Sequence, residues 1–80
     1  MDTCENVKNR LLFLCGQEGI TINGLATESG IPPSTIKNIF YGKSKNPGVV
    51  TLKKLCDGLD ISIAEFFDTE IFRSLEQEIK

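Results

Sequence analysis

The chain contains no histidine and no Cys-x-x-Cys pair among its 80 residues. Its three cysteines, Cys4, Cys15 and Cys56, are an odd number that suits no disulfide framework. A zinc site would lack its usual ligands, and a serine or cysteine nucleophile would lack its usual base. Each cysteine falls at an apolar-periodic helix position, which indicates small core residues rather than reactive thiols. An enzyme is therefore the least favoured class of protein.

Long apolar runs are also absent. No stretch approaches the roughly 20 residues of a membrane span, and the N-terminal MDTCENVKNR lacks the basic-then-apolar order of a signal peptide. We therefore expect a cytoplasmic protein with no membrane partner. A length of 80 residues supports one core and leaves no room for a separate ligand-binding domain, so we expect no small-molecule ligand. Because the usual ligands of a zinc site are missing, we also expect no metal, and we expect no cofactor.

Acidic residues are missing from the middle of the chain. The net charge is −2, yet residues 29–56 contain five lysines and no Asp or Glu, whereas residues 57–80 contain seven acids and two bases. A polyanion is steered by the local field rather than by the total charge. The five lysines are Lys37, Lys43, Lys45, Lys53 and Lys54. This uneven distribution favours nucleic-acid binding, and a solvated lysine face is the alternative.

Helical periodicity runs through the chain, and no strand pattern competes with it. Five helices can be delimited. Thr21 is the expected N-cap of the second helix, and Gly30 is its expected stop. Ser62 and Glu65 form a capping box that starts the fifth. Residues 68–80 are interpreted as a further amphipathic helix.

The second and third helices, about residues 22–29 and 33–41, are short and close together. Pro33 suits the first position of a helix because its missing N–H would be unpaired there. Small residues at Ala26 and Gly30 allow the steep crossing of a helix-turn-helix, which projects the start of its second helix outward. Gly42 is the expected stop. The outward positions can all form hydrogen bonds, and they are Ser34, Lys37, Asn38 and Tyr41.

The segment LATESGIPPSTIKNIFYGKSKNP resembles the helix-turn-helix of the lambda-repressor/Cro-like (Xre) family, and the likeness spans about residues 7–67. The resemblance implies an all-α, five-helix DNA-binding domain over residues 1–67. It also implies a sequence-specific, repressor-like transcriptional regulator with double-stranded DNA as partner. In that family the second motif helix reads bases, and flanking segments hold phosphates. By position, the base-reading candidates are Ser34, Lys37 and Asn38. The phosphate-binding candidates are Thr21, Asn23, Tyr41, Lys43 and Lys45.

Three features depart from the pattern of that family. Ile22 and Pro33 stand where many members have glutamine, so apolar contact with a thymine methyl is the most they offer a base. Phe40 and Cys15 stand where an acid and a base are often paired, and such a replacement threatens the fold little. Ser29 replaces a usually apolar residue, which we expect to loosen the turn.

The end of the chain carries more large apolar groups than an exposed terminus would, namely Phe66, Phe67, Phe72, Leu75 and Ile79. They either complete the core or form a two-fold dimer contact. The dimer is the favoured interpretation, and it would set two recognition helices about 34 Å apart.

A protein-interaction module on the same fold, such as an antitoxin or an adaptor, is the alternative function. The acidic total charge and the apolar Ile22 and Pro33 suit it. The acid-free lysine stretch does not, because a protein-binding surface has no need of it.

Overall fold

A computed structural model describes residues 3–41 and 47–79 of the protein. All of the regular secondary structure in these residues is helical, so the predicted all-α fold is confirmed. The helices are α1 (Thr3–Glu18), α2 (Ile22–Ser29), α3 (Pro33–Phe40), α4 (Val49–Gly58), α5 (Ile63–Phe67) and α6 (Glu70–Arg73). Within the same residues, every helix is too short or too polar to cross a membrane.

The core lies where α1, α2, α3, α4 and α5 meet. The buried positions follow the predicted helical periodicity, because each helix turns one apolar stripe inward. The helix-turn-helix contributes the buried residues Leu25, Ala26, Ile36 and Ile39. Phe66 of α5 closes the core and is 0% exposed.

Three helices end in the same way, with a residue in the left-handed conformation. These residues are Gly19 (φ 67°), Gly30 (φ 66°) and Asp60 (φ 59°). In each turn the next residue is an isoleucine whose N–H donates over 3.0 Å to the carbonyl oxygen five positions earlier; the pairs are Ile20 with Cys15, Ile31 with Ala26 and Ile61 with Cys56. This Schellman arrangement packs the isoleucine against the last turn of the helix. It thereby fixes where α1, α2 and α4 stop.

Asp60 is the one residue of these three turns that has a side chain in the left-handed region. We expect Asp60→Gly to raise the free energy of unfolding by about 0.5–1 kcal/mol, because a Cβ is unfavourable at this φ. Urea denaturation measures the change. Gly30→Ala makes the reverse change at the corresponding position of the turn after α2. It is expected to lower the free energy of unfolding by about 1–2 kcal/mol. An Asp60→Gly protein that is no more stable than the parent would contradict this account of the turn.

Helices α2 and α4 approach closely at Gly58. A Cβ at Gly58 would overlap Ser29 Oγ and lie 3.2 Å from Leu25 Cδ1. Ser29 Oγ is buried and has no hydrogen-bond partner among the described residues. The expected loosening of the turn by Ser29 is not seen, since the N–H groups of Gly30 and Ile31 both keep their carbonyl acceptors. Ser29 instead places a hydroxyl without a described partner between two helices, and we expect this buried group to lower the stability.

We expect Gly58→Ala to destabilise the protein by about 1–2 kcal/mol, because the serine must rotate or the helices must separate. Ser29→Ala removes both the overlapping atom and the unpaired hydroxyl, and is expected to stabilise by about 1 kcal/mol. In the double variant the cost of the Gly58 change should fall by about 1 kcal/mol. A double-mutant cycle by urea denaturation measures this coupling, and strictly additive effects would contradict the proposed contact.

The end of the chain differs from the helix predicted over residues 68–80. Helix α6 covers only Glu70–Arg73, and residues 74–79 are not helical. Further turns would place Ile79 on a helix with nothing to pack against, and an isolated turn is unstable without packing; Ile79 is 85% exposed. Glu78 instead reaches α1, where its carboxylate Oε2 accepts the Thr3 N–H at 3.2 Å and the Thr3 hydroxyl at 2.7 Å. A negative charge is favoured at that helix N-terminus.

Three aromatic rings of the terminal region pack on their own chain. The ring centroids of Phe66 and Phe67 are 4.8 Å apart, and those of Phe67 and Phe72 are 4.9 Å apart, both edge to face. Phe67 and Phe72 are partly buried against the core. These rings therefore complete the core, as the alternative interpretation had it. Among the described residues of the terminal segment, the strongly exposed apolar side chains are Ile71 (58%) and Ile79.

Candidate nucleic-acid interface

Thr21 caps helix α2, as predicted. Its Oγ1 accepts the N–H of Gly24 at 2.9 Å, and its backbone is extended. The hydroxyl hydrogen remains available as a donor, and both Thr21 and Asn23 are exposed. Because the first turn of a helix presents N–H groups and a partial positive charge, this end of α2 suits an anion.

The two prolines fix the start of helix α3. Pro33 is its first residue, as predicted, and the Pro32 carbonyl accepts the N–H of Thr35 at 3.0 Å and of Ile36 at 3.4 Å. The helix ends at Phe40, and the N–H of Tyr41 donates to the Lys37 carbonyl at 2.8 Å. The predicted helix stop, Gly42, lies outside the described residues. The same is true of the two loop lysines, Lys43 and Lys45.

Helix α3 presents one polar row to solvent. Ile36 and Ile39 face the core, and the predicted outward side chains are all exposed, namely Ser34, Lys37, Asn38 and Tyr41. Within residues 3–41 and 47–79 the structure gives the side chains of this row no hydrogen-bond partner. Among the described residues, nothing therefore competes with another molecule for these donors and acceptors.

A cleft of about 520 Å³ opens beside this row, where α1, α2 and α3 meet. It brings together four of the predicted residues: Thr21, Asn23, Lys37 and Tyr41. Ser34 and Asn38 are not among its lining residues. Ile22 and Phe40, two of the departures from the Xre pattern, also line the cleft and lie partly buried against the core. The apolar residues at these positions thus serve packing.

Lys8 and Leu12 of α1 complete the cleft, and neither was predicted from the sequence as a site residue. They stand four residues apart and therefore share one side of the helix. The sequence shows this spacing next to the apolar stripe of α1. The spacing does not identify Lys8 as a cleft residue, because no local pattern indicates that α2 and α3 pack against that side of α1.

Arg10 was also missed. Its Nε donates to the Phe66 carbonyl at 2.9 Å and its Nη2 to the Glu65 carbonyl at 3.2 Å. Carbonyls at the end of a helix lack partners within that helix, so the guanidinium caps α5. Arg10 thereby joins α1 to α5, and its role is structural.

The described residues show no arrangement for metal chemistry, since no group of three or more His, Cys, Asp or Glu among them could hold an ion. Cys15 and Cys56 are buried, as predicted, and Cys4 is partly buried. Burial raises the pKa of the Cys15 thiol and, with smaller opposed effects of Lys53 and Asp57, that of Cys56. Both thiols are therefore mainly in their unreactive, protonated form.

These features define a helix-turn-helix protein. The model of the helix-turn-helix family matches residues 13–66, and the chain belongs to this family. The resemblance to the lambda-repressor/Cro-like type is confirmed by the relatives of the chain.

Two known proteins are similar to the chain over more than half of its length. It is 41% identical over 54 residues to the HTH-type transcriptional regulator SlrR of Bacillus subtilis (strain 168), an alignment that covers 68% of this chain and 36% of SlrR. The chain therefore spans little more than a third of that relative. Among solved structures it resembles the prophage Lp1 protein 11, with a TM-score of 0.83, 38% identity, and coverage of 94% of this chain and 100% of the other.

Proposed function

We propose that the protein is a sequence-specific DNA-binding transcriptional regulator of the repressor-like kind, which occupies operator DNA with α3 in the major groove. The observation that carries the proposal is the exposed row of polar side chains on α3, a helix whose start is fixed by two prolines. The relative SlrR, which is named a transcriptional regulator, supports the same class of function. A regulator of this kind acts in the cytoplasm.

The proposed roles follow from the position of each side chain. Asn38 suits adenine, whose N6 and N7 it can bind together, and Lys37 suits guanine O6 and N7. Ser34 can contact either kind of base from the first turn of α3. The side chains proposed to hold phosphates are Thr21, Asn23 and Tyr41, with Lys43 and Lys45 of the following loop. Phosphate contacts position a protein on DNA, whereas base contacts specify the sequence.

We further propose that the protein acts as a homodimer. A second, mainly apolar cleft of about 360 Å³ lies between α1 and the terminal segment. Phe13 and Ile71 line it and are 54% and 58% exposed. Large apolar groups exposed side by side favour contact with another chain. A two-fold dimer would match half-sites about 34 Å apart.

Selection of bound duplexes from a random-sequence DNA pool tests the function. We expect a two-fold-symmetric motif to be enriched, with half-sites about one helical turn apart. Affinity for the winning duplex should fall steeply with salt because phosphate binding releases counterions. An enriched motif without symmetry would retain the DNA function and contradict the dimer. Absence of any enrichment would contradict sequence-specific binding.

A protein-interaction module, an antitoxin or adaptor, is the second candidate function. The acidic sequence pI of about 5.0 and the exposed apolar Phe13 and Ile71 favour it. It predicts weak, sequence-independent DNA binding in the same selection.

A further inference from the structure

We infer that Lys8 of α1, outside the helix-turn-helix, is a further phosphate-binding residue, and that the cleft between α1, α2 and α3 seats one DNA phosphate group. This inference rests on the proposed DNA-binding function. It adds α1 to the helices that contact phosphates, which are otherwise α2 and α3 of the motif.

The chemistry of the cleft suits a phosphate. Two lysines, Lys8 and Lys37, and two residues with hydroxyl groups, Thr21 and Tyr41, are among the residues that line it. No acidic residue is among the described residues that line it. Lysine ammonium groups and hydroxyls that donate hydrogen bonds are the groups that contact phosphate oxygens in DNA complexes. The cleft also opens beside the exposed row of α3, so its occupant lies next to the bases that α3 would reach.

Lys8 is already held close to the required position. Its side chain is 23% exposed, so most of its aliphatic stem is covered, while its Nζ lies 3.0 Å from Oε2 of Glu5. A lysine commonly lays its stem on apolar surface and keeps its charged end in water. Leu12, one turn further along α1, supplies such surface in the same cleft. Little side-chain entropy is therefore lost when the ammonium group binds an anion.

The ion pair with Glu5 does not prevent this role. The pair joins positions i and i+3 of one helix, and its carboxylate partner is 43% exposed. Pairs of this kind contribute little to stability, so a phosphate group can replace or share the carboxylate at small cost. Glu5 then acts as a weak competitor for the lysine. Its removal should strengthen DNA binding.

A phosphate in this cleft would have a positioning effect. It would be contacted by Lys8 of α1, by Thr21 of α2 and by Tyr41 at the end of α3, and these helices belong to one packed core. Contacts from three helices restrict rotation of the protein about the DNA backbone more than contacts from two. Lys8 thereby helps to set the angle at which α3 enters the groove, and its effect should be the same on every DNA sequence.

The test compares Lys8→Met, which keeps the stem and removes the charge, with Lys8→Arg, which keeps the charge. Lys54→Met, at an exposed lysine of α4 that lines neither cleft, is the matched control. Binding is titrated on the selected duplex and on a scrambled duplex at 50–200 mM salt. Lys8→Met should weaken binding to both by the same factor, about five- to tenfold per protomer near 0.1 M salt. That factor should shrink about threefold per protomer between 50 and 200 mM salt if each protomer no longer neutralises one phosphate group.

Further results should agree with this assignment. Lys8→Arg should bind like the parent, and Glu5→Gln should bind about twofold more tightly. Thermal unfolding of Lys8→Met should match that of the parent, which separates weaker binding from impaired folding. Equal effects of Lys8→Met and Lys54→Met would indicate a general charge effect and overturn the assignment. A decrease confined to the selected duplex would also overturn it, since a base contact would then be involved.

The failure of the inference and the failure of the proposed function give different results. If the parent protein binds both duplexes without salt dependence, or binds neither, the DNA-binding function is wrong and the role of Lys8 is wrong with it. If the parent enriches a motif and Lys8→Met keeps the affinity and salt slope of the parent, only the role of Lys8 is wrong.

Discussion

Replacement of Phe66 by alanine is expected to lower the free energy of unfolding by about 3–5 kcal/mol, the largest stability effect predicted for a single residue of this chain. The ring is 0% exposed and meets Phe67 edge to face at 4.8 Å and Phe72 at 6.2 Å between centroids. Its removal would leave a cavity at the junction of the core and the terminal segment. A domain of this size is stabilised by about 5–10 kcal/mol in total, so the variant should lose a large part of its stability.

Urea denaturation followed by circular dichroism measures this effect, and Phe13→Ala is the matched control. Phe13 is the same residue type but is 54% exposed on α1. At a protein concentration too low for the proposed dimer, its replacement should cost less than about 1 kcal/mol, as is usual for surface positions. Similar costs at the two positions would mean that Phe66 is not the centre of the core. A Phe66→Leu variant should recover much of the stability, because it fills most of the volume.

Local signals in the sequence predict most of the helix boundaries. Thr21 and Ser62 accept the N–H groups of Gly24 and Glu65, respectively, three positions later, and Pro33 begins α3. Caps and breakers act within one turn of the chain, so residue type and spacing suffice to find them. Asp60 was not anticipated as a left-handed residue because aspartate adopts that conformation only in a suitable turn.

Contacts between distant segments could not be predicted in this way. Arg10 donates to the Phe66 carbonyl across 56 positions, and Thr3 donates to Glu78 across 75. Periodicity alone extended the last helix to residue 80. A repeat of apolar residues specifies a helix only where another surface covers it, and no local pattern reports whether that surface exists.

The same distinction between local signals and contacts of distant segments applies to the residues of the candidate interface. The outward row of α3 follows from the buried Ile36 and Ile39, because helical spacing then dictates which side chains face solvent. Lys8 depends on how α1 packs beside α2 and α3, which is a property of the fold. The sequence therefore predicts which residues can read DNA better than it predicts which residues anchor the phosphate backbone.

The largest expected effect on function is that of Lys37→Glu, which should lower the affinity for the selected duplex about 100-fold per protomer near 0.1 M salt. Lys37 lies on the exposed row of α3 and also lines the cleft with Lys8. The change removes one positive charge and adds a negative charge at the surface proposed to face the phosphates. The salt slope should therefore fall by about two counterions per protomer. Filter binding or fluorescence anisotropy over a salt series measures both quantities.

Asn38→Ala is the variant that separates base reading from charge. It changes no charge, so it should leave the salt slope and the affinity for scrambled DNA unaltered. On the selected duplex it should cost about 1–3 kcal/mol and abolish the preference at one base pair of each half-site. Lys37→Gln then decides the role of Lys37, since loss of preference at a G·C pair indicates base contact and a uniform decrease in affinity indicates phosphate contact. If Lys37→Glu and Asn38→Ala weakened every sequence equally, α3 would be a basic surface rather than a recognition helix, and specificity would have to lie elsewhere in the chain.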